Sequence, residues 1–481
     1  MLQRILGLAK IGAVRNLPAV APARAFPAQS VAAVPSPITA AAQRLTAGPG
    51  LGLEQRRQLS RSGAWRHSSS SSGSGFSELS AREMRANYKA ATGRHVGLSG
   101  SELKAAAGVV LDDGALENEI LVEEPVGMRV VYLNRPKALN ALTMDMVTEL
   151  LRLYKVWEVN PTVNLIVLKG VGKAFCAGGD VKSIWRDKTS GLGKLGLAFF
   201  NAEYTLLNRI GSLRRIAHIA LLDGFTMGGG CGISMHGAVR VATENTVFAM
   251  PEAVIGIFPD VGASLFLGKL PAQLGMYLGM TGARLNGVEM LRCGLATHYV
   301  ESRRLPELEN RLSQINTSDR SVIDRAIGEY SSSFPAELSL PEGSVLKSLD
   351  LVENIFGRES VCEIRAALEN AVDNDKPWIK SALDSLRSAS PTSLELIFQQ
   401  MRRAKHVENL EEALQMEYTM MSHCLRGADF YEGVRANLVD KDKNPKFSPA
   451  TSEEVDKEVV GAYFIAHPDG PSRLELLTST L

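Results

Sequence analysis

Phe175-Cys-Ala-Gly-Gly-Asp180 and Thr226-Met-Gly-Gly-Gly-Cys231 are two glycine-rich turns, and Met250-Pro-Glu-Ala-Val-Ile-Gly-Ile-Phe-Pro-Asp260 follows them with a pair of carboxylates. Each turn comes just after an apolar, β-prone run, Leu165-Ile-Val-Leu168 and Ile219-Ala-Leu-Leu222. Glycine lets the backbone take positive φ and lets a ligand approach the main chain closely. Two such turns can aim two backbone N–H groups at one oxygen, the arrangement that stabilises an oxyanion. Glu252 and Asp260 then offer the acid–base or nucleophilic groups that acyl chemistry at a carbonyl requires.

Outward from this stretch, the chain alternates strand and helix signals. Met128-Arg-Val-Val-Tyr-Leu133 is rich in β-branched and aromatic residues and reads as a strand. Thr143 is a good N-cap with Asp145 in the first turn, and Val147, Leu150, Leu151, Tyr154 and Trp157 recur at helical steps until Asn160-Pro161. Leu165–Leu168 is the next strand. Such alternation predicts an α/β class. After about Leu305 strand signals fade, and helical patterns run around 321–325, 359–372, 392–403 and 410–421.

The ordered motifs carry a resemblance. Leu133-Asn-Arg-Pro-Lys-Ala-Leu-Asn-Ala-Leu142, Lys173-Ala-Phe-Cys-Ala-Gly-Gly-Asp-Val181, Met227-Gly-Gly-Gly-Cys-Gly-Ile233, Phe258-Pro-Asp-Val-Gly262, Leu295-Ala-Thr-His-Tyr299 and Glu432-Gly-Val-Arg-Ala436 with Asp440-Lys-Asp442 lie in order along the chain. Together they resemble the crotonase (enoyl-CoA hydratase/isomerase) superfamily, and within it the 3-hydroxyisobutyryl-CoA hydrolases, from about Glu119 to Phe464. The resemblance implies a crotonase-like spiral of ββα units with a helical C-terminal region. It implies a core over residues 118–304, helices over 305–465 that pack on the core and often mediate homo-oligomer contacts, and a tail over 466–481.

The same resemblance implies site residues. Gly179 and Gly229 would supply the two oxyanion N–H groups. Glu252 would activate water or attack the thioester, Asp260 would orient water or bind the substrate hydroxyl, and Glu203 would stand near the substrate. Lys137, Ala138, Leu139, Ala174 and Ala177 match segments that line the CoA end. Of the two glutamates of the hydratases, the second is present as Glu252, whereas the first would stand at position 232, where this chain has Gly232. The implied activity is therefore hydrolysis of a short branched 3-hydroxyacyl-CoA, 3-hydroxyisobutyryl-CoA first, with hydration or isomerisation disfavoured. No metal or other cofactor is implied, because CoA arrives with the acyl-CoA substrate. A different reading comes from relatives of these hydrolases that are built into the small subunit of some mitochondrial ribosomes. Two departures, Ile216-Ala217 for the usual Lys-Pro and Ala263-Ser264 for further glycine, could alter pocket width.

Composition bounds the rest. A net charge of +1 over 481 residues gives no nucleic-acid signal, and no run reaches the ~18 apolar residues of a membrane span. Five cysteines, widely scattered and without C-x-x-C spacing, argue against disulfides or zinc; Cys176 and Cys231, within the glycine turns, read as buried fillers. His236 and His298 read as structural, since no carboxylate–His–nucleophile order is visible. Residues 1–75 hold eight arginines and one lysine against the single acid Glu54, and are rich in Ala and Ser. That is the composition of an organellar transit peptide; the resembled family favours the mitochondrial matrix. Residues 76–117, with Ser80 as an N-cap for a helix over 81–88, read as a linker or docking arm.

Overall fold

Among the described residues ten strands form two sheets, and each glycine turn lies where the chain leaves the second of them. In the computed structural model, residues 119–331, 339–372, 376–467 and Leu474 are described, all within the unit 94–481. The transit segment, the arm and most of the tail expected from the sequence lie outside the described residues. The larger sheet has the order β1 (Ile120–Glu123), β2 (Met128–Leu133), β3 (Leu165–Gly170), β5 (Ala217–Leu222), β7 (Val239–Ala242) and β10 (His298–Tyr299). Only β1 runs antiparallel to its neighbour. The smaller sheet has the order β4 (Ala174–Cys176), β6 (Phe225–Met227), β8 (Val247–Ala249) and β9 (Leu285–Asn286), with β9 antiparallel.

Successive pairs β3/β4, β5/β6 and β7/β8 each give one strand to each sheet. That is the ββα spiral. The glycine turns therefore follow β4 and β6, not the longer β3 and β5 that the sequence makes obvious. Strands of three residues carry too few positions for a period-2 pattern to show.

The helices of the spiral are α1 (Met144–Val159), α2 (Val181–Thr189), α3 (Leu195–Ser212), α4 (Gly229–Met235), α5 (Ala263–Phe266), α6 (Leu274–Thr281), α7 (Gly287–Arg292), α8 (Leu305–Ser313) and α9 (Arg320–Gly328). Thr143 caps α1 by accepting from the Met146 N–H at 3.1 Å, and the helix buries Met146, Val147, Leu150, Leu151, Tyr154 and Trp157. β3 is buried at Leu165 through Leu168 without alternation because both faces of its sheet are covered. Leu165, Val167, Ile219 and Val241 meet α8 and α9, whereas Ile166, Leu168, Ala220 and Leu222 meet the main core.

No strand follows Tyr299 among the described residues. The later helices are α10 (Leu349–Phe356), α11 (Val361–Asn370), α12 (Pro377–Ser388), α13 (Pro391–Ala404), α14 (Leu410–Cys424), α15 (Asp429–Val434) and α16 (Lys457–Ala462), with a π turn over Arg435–Val439. They cover the core directly: α14 packs on α3 and α13 on α6. Gly433 sits so close to the Ile255 backbone that a Cβ there would approach it to 2.5 Å. None of the described helices is long and apolar enough to cross a membrane.

Candidate active site

The first turn is fixed by the loop before α1. Leu142 N–H donates to Gly178 O at 2.8 Å, and Asp180 N–H donates back to Leu142 O at 2.8 Å. Arg135 pairs with Asp180 at 2.8 Å, while Asp180 also caps α2 by accepting from Ser183 N–H. The buried Asn140 amide donates to the carbonyls of Val171 and Ala174. These bonds explain why Arg135, Asn140 and Leu142 share one motif. They build the wall of the turn.

The second turn depends on Gly228, whose φ of 47° and ψ of −122° a side chain would oppose. It aims the start of α4 at the first turn. A Cβ placed on Gly229 would lie 3.2 Å from the Gly179 nitrogen, and one on Gly178 would lie 3.9 Å from the Gly229 nitrogen. Neither the Gly179 nor the Gly229 N–H donates to another described residue. Gly229 opens α4, so its N–H has no acceptor within the helix. The two glycine turns thus bring two unspent donors side by side.

Three carboxyl groups surround this place from three elements. Glu203 comes from α3, Glu252 opens the 3-10 turn Glu252–Ile255 behind Pro251, and Asp260 lies in the loop before α5. All three are buried, at 1%, 6% and 4% exposure. A Cβ on Gly229 would sit 2.4 Å from Glu203 Oε1, and one on Gly228 would sit 2.9 Å from Glu252 Oε1. The glutamates therefore flank the second turn. Glu203 Oε1 and Glu252 Oε2 are buried without a hydrogen-bond partner among the described residues. Burial pushes both glutamates well above the ordinary carboxylate range, and the Asp260 charge pushes them further. Burial also raises Asp260, to about 6, but there the Tyr204 hydroxyl, donating to Oδ2 at 2.7 Å, holds it down. Carboxyls packed this closely cannot all ionise, so protons remain for donation and uptake.

The residues expected at the CoA end divide. Lys137 is exposed on a 3-10 turn with Ala138, and Ala177 N–H donates to Leu139 O at 3.0 Å, so these lie together beside the first turn. Ala174 is buried in β4 with its carbonyl taken by Asn140. His298 is away from the acids, 3.4 Å from Asp324. His236 touches the acid loop, its Nε2 bonding Val261 O at 2.7 Å. All five cysteines are free thiols; burial pushes the Cys176 thiol up to about 12 and that of Cys231 well above the usual value. Among the described residues no group of His, Cys, Asp and Glu has metal-holding geometry.

Sequence reading missed Tyr204, Gln400 and Glu417. Tyr204 and Glu417 each belong to a Glu-Tyr pair inside an apolar helix face, Glu203-Tyr204 and Glu417-Tyr418, which was the available signal. Position 232 is also informative: a Cβ there would lie 2.8 Å from Val261 and 2.9 Å from Leu207, so a second glutamate has no room.

Residues 128–464 match the family model described as enoyl-CoA hydratase/isomerase. The chain is 44% identical to 3-hydroxyisobutyryl-CoA hydrolase 1 of Arabidopsis thaliana over 354 residues, covering 73% of this chain and 92% of that protein. It is 41% identical to the mitochondrial 3-hydroxyisobutyryl-CoA hydrolase of Xenopus tropicalis, covering 72% and 89%. It is 40% identical to small ribosomal subunit protein mS47 of Arabidopsis thaliana over 389 residues, covering 79% and 93%. Among solved structures, a carnitinyl-CoA dehydratase from Mycobacterium thermoresistibile is similar with a TM-score of 0.67 and 32% identity, covering 75% of this chain and 99% of that one.

Proposed function

The chain belongs to the enoyl-CoA hydratase/isomerase family, and from that premise we propose that it hydrolyses a short branched 3-hydroxyacyl-CoA, 3-hydroxyisobutyryl-CoA first, in the mitochondrial matrix. The observation that carries this reading is the meeting of two unspent N–H groups, at Gly179 and Gly229, with the buried carboxyls of Glu203, Glu252 and Asp260. The thioester carbonyl accepts from the two N–H groups, which strengthen their hold as its oxygen gains charge; one such donor is worth about 3 kcal/mol of barrier. Glu252, basic because it is buried, either takes a proton from water or attacks the carbonyl carbon itself. In the first route the water oxygen forms the new C–O bond as the C–S bond breaks, and the proton taken by Glu252 passes to the departing sulfur. In the second the Glu252 oxygen forms a mixed anhydride as the CoA thiolate leaves. Water then hydrolyses that anhydride, freeing the hydroxy acid and Glu252 and giving its proton to the thiolate. Asp260 orients the water or the substrate hydroxyl, and Glu203 completes the acyl pocket. The CoA portion runs past Lys137–Leu139 and Ala177.

Hydrolase relatives at 41–44% identity support this substrate class. The closed-off position at Gly232 supports hydrolysis over hydration. The basic, acid-poor composition of residues 1–75 and the mitochondrial name of a relative support the compartment. A test is to compare CoA release from 3-hydroxyisobutyryl-CoA with hydration of crotonyl-CoA. The first should be rapid and the second negligible; the reverse order would sink the hydrolase reading.

One observation favours a second role as a component of the small subunit of the mitochondrial ribosome. The similarity to mS47 spans 389 residues, against 354 for the plant hydrolase. Co-sedimentation of the native protein with mitochondrial ribosomes would expose that role, and recovery only in the soluble matrix would count against it.

A further inference from the structure

Asp260 sits at the head of a loop that does not hold its shape unaided. Val261, a β-branched residue, takes the left-handed conformation with φ 57°, and Gly262 follows with φ 83°. A valine resists that region, so the surrounding structure must over-determine it. The C-terminal helices do so. From α14, the Glu417 carboxylate accepts from Gly262 N–H at 2.6 Å and from Ser264 N–H at 2.8 Å. From α13, the Gln400 amide donates to Pro259 O at 2.7 Å and to Ser264 Oγ at 3.0 Å. The next residue on α14, Tyr418, stacks edge-on with Tyr204 at 6.2 Å, and Tyr204 is the donor to Asp260. One helix therefore braces both the loop and the hydroxyl that holds Asp260.

Glu417 is fully buried, and the proposed chemistry does not use it. A buried carboxyl on a C-terminal helix is costly unless it is satisfied, and its two oxygens are spent on two backbone donors of one loop. We propose that Glu417 is a positioning residue, which fixes Asp260 against Glu203 and Glu252 by gripping the N–H groups of Gly262 and Ser264. The assignment of a consequence for turnover rests on the hydrolase reading above. The C-terminal helical region is then part of the active site's construction, and its presence sets the rate of the chemical step more than the affinity for substrate.

The test uses the full-length protein and the E417Q variant. Glutamine keeps the volume but offers one acceptor oxygen, so one backbone N–H faces a donor. Hydrogen exchange at Gly262 and Ser264 should quicken at least ~10-fold, with exchange at Gly179 and Gly229 unchanged. With 3-hydroxyisobutyryl-CoA, kcat should fall ~10- to 100-fold while KM stays within ~3-fold, as expected for a misplaced catalytic group. If E417Q does not fold, E417D, with both oxygens set back by one methylene, should show the same split. Unchanged kcat in a folded variant, or a change confined to KM, would overturn the assignment. If the wild type releases no CoA, the hydrolase reading fails by itself. Exchange at Gly262 and Ser264 then decides the role of Glu417: faster exchange upholds the grip and unchanged exchange overturns it.

Discussion

Tyr204 donates its hydroxyl to Asp260 Oδ2 at 2.7 Å, with both side chains buried. This bond separates Asp260 from its neighbours. Burial raises all three acids, and the phenolic donor stabilises the charged form of Asp260 alone. Asp260 is thereby the first of the three carboxyls to ionise, and Glu252, which acts in its ionised form, follows it.

Replacing Tyr204 with Phe should raise the Asp260 pKa above about 6, because the group that favours its charged form is lost. The acid limb of kcat/KM against pH should move upward by on the order of one unit, with the largest loss of activity near pH 6. A variant whose acid limb stays in place would separate Tyr204 from the titration of Asp260.

Asp260 should also make the protein less stable as the solution becomes less acidic. Its pKa is raised by folding from 3.8 to about 6, so the folded state binds the proton more tightly between those values. Stability from this group is present below about pH 4 and is lost as pH rises through about 6. D260N should therefore be more stable than wild type at pH 7 to 8, by on the order of 1–3 kcal/mol and with a correspondingly higher melting temperature, and lose that advantage near pH 4. Equal melting curves at both pH values would mean that Asp260 is not under this strain.

At Gly229 the space is as restrictive as the chemistry. Its helical backbone accommodates alanine, yet the new Cβ would lie 2.4 Å from Glu203 Oε1 and 3.2 Å from the Gly179 nitrogen. G229A should fold, with Glu203 displaced, and lose ~100-fold or more in CoA release because the carbonyl can no longer sit between the two donors. Activity within a few-fold of wild type would place the reacting carbonyl elsewhere.

Much of this arrangement was legible in the sequence. The strand over 128–133 and the helix capped by Thr143 have long, regular apolar patterns and are found where those patterns place them. The two glycine turns and the acids at 203, 252 and 260 do come together. The short strands Ala174–Cys176 and Phe225–Met227 escaped notice because three residues carry no period, although they decide where each turn begins. Tyr204 and Glu417 escaped because each lies in an apolar helix, where a polar residue reads as an exception and its partner is 56 or 155 positions away. Gly232 stands where the hydratases carry a glutamate, and the closeness of Val261 and Leu207 gives the steric reason for its absence.

The most direct measurement is CoA release from 3-hydroxyisobutyryl-CoA by the purified protein, run beside a folded E252Q variant. Rapid release by the wild type and a loss of ~100-fold or more in E252Q is the expected result, since the proposed mechanism assigns to Glu252 the activation of water or the attack on the carbonyl. A folded wild type that binds CoA but releases none from the thioester, or an E252Q variant as active as wild type, would contradict the hydrolase mechanism built on Gly179, Gly229 and Glu252.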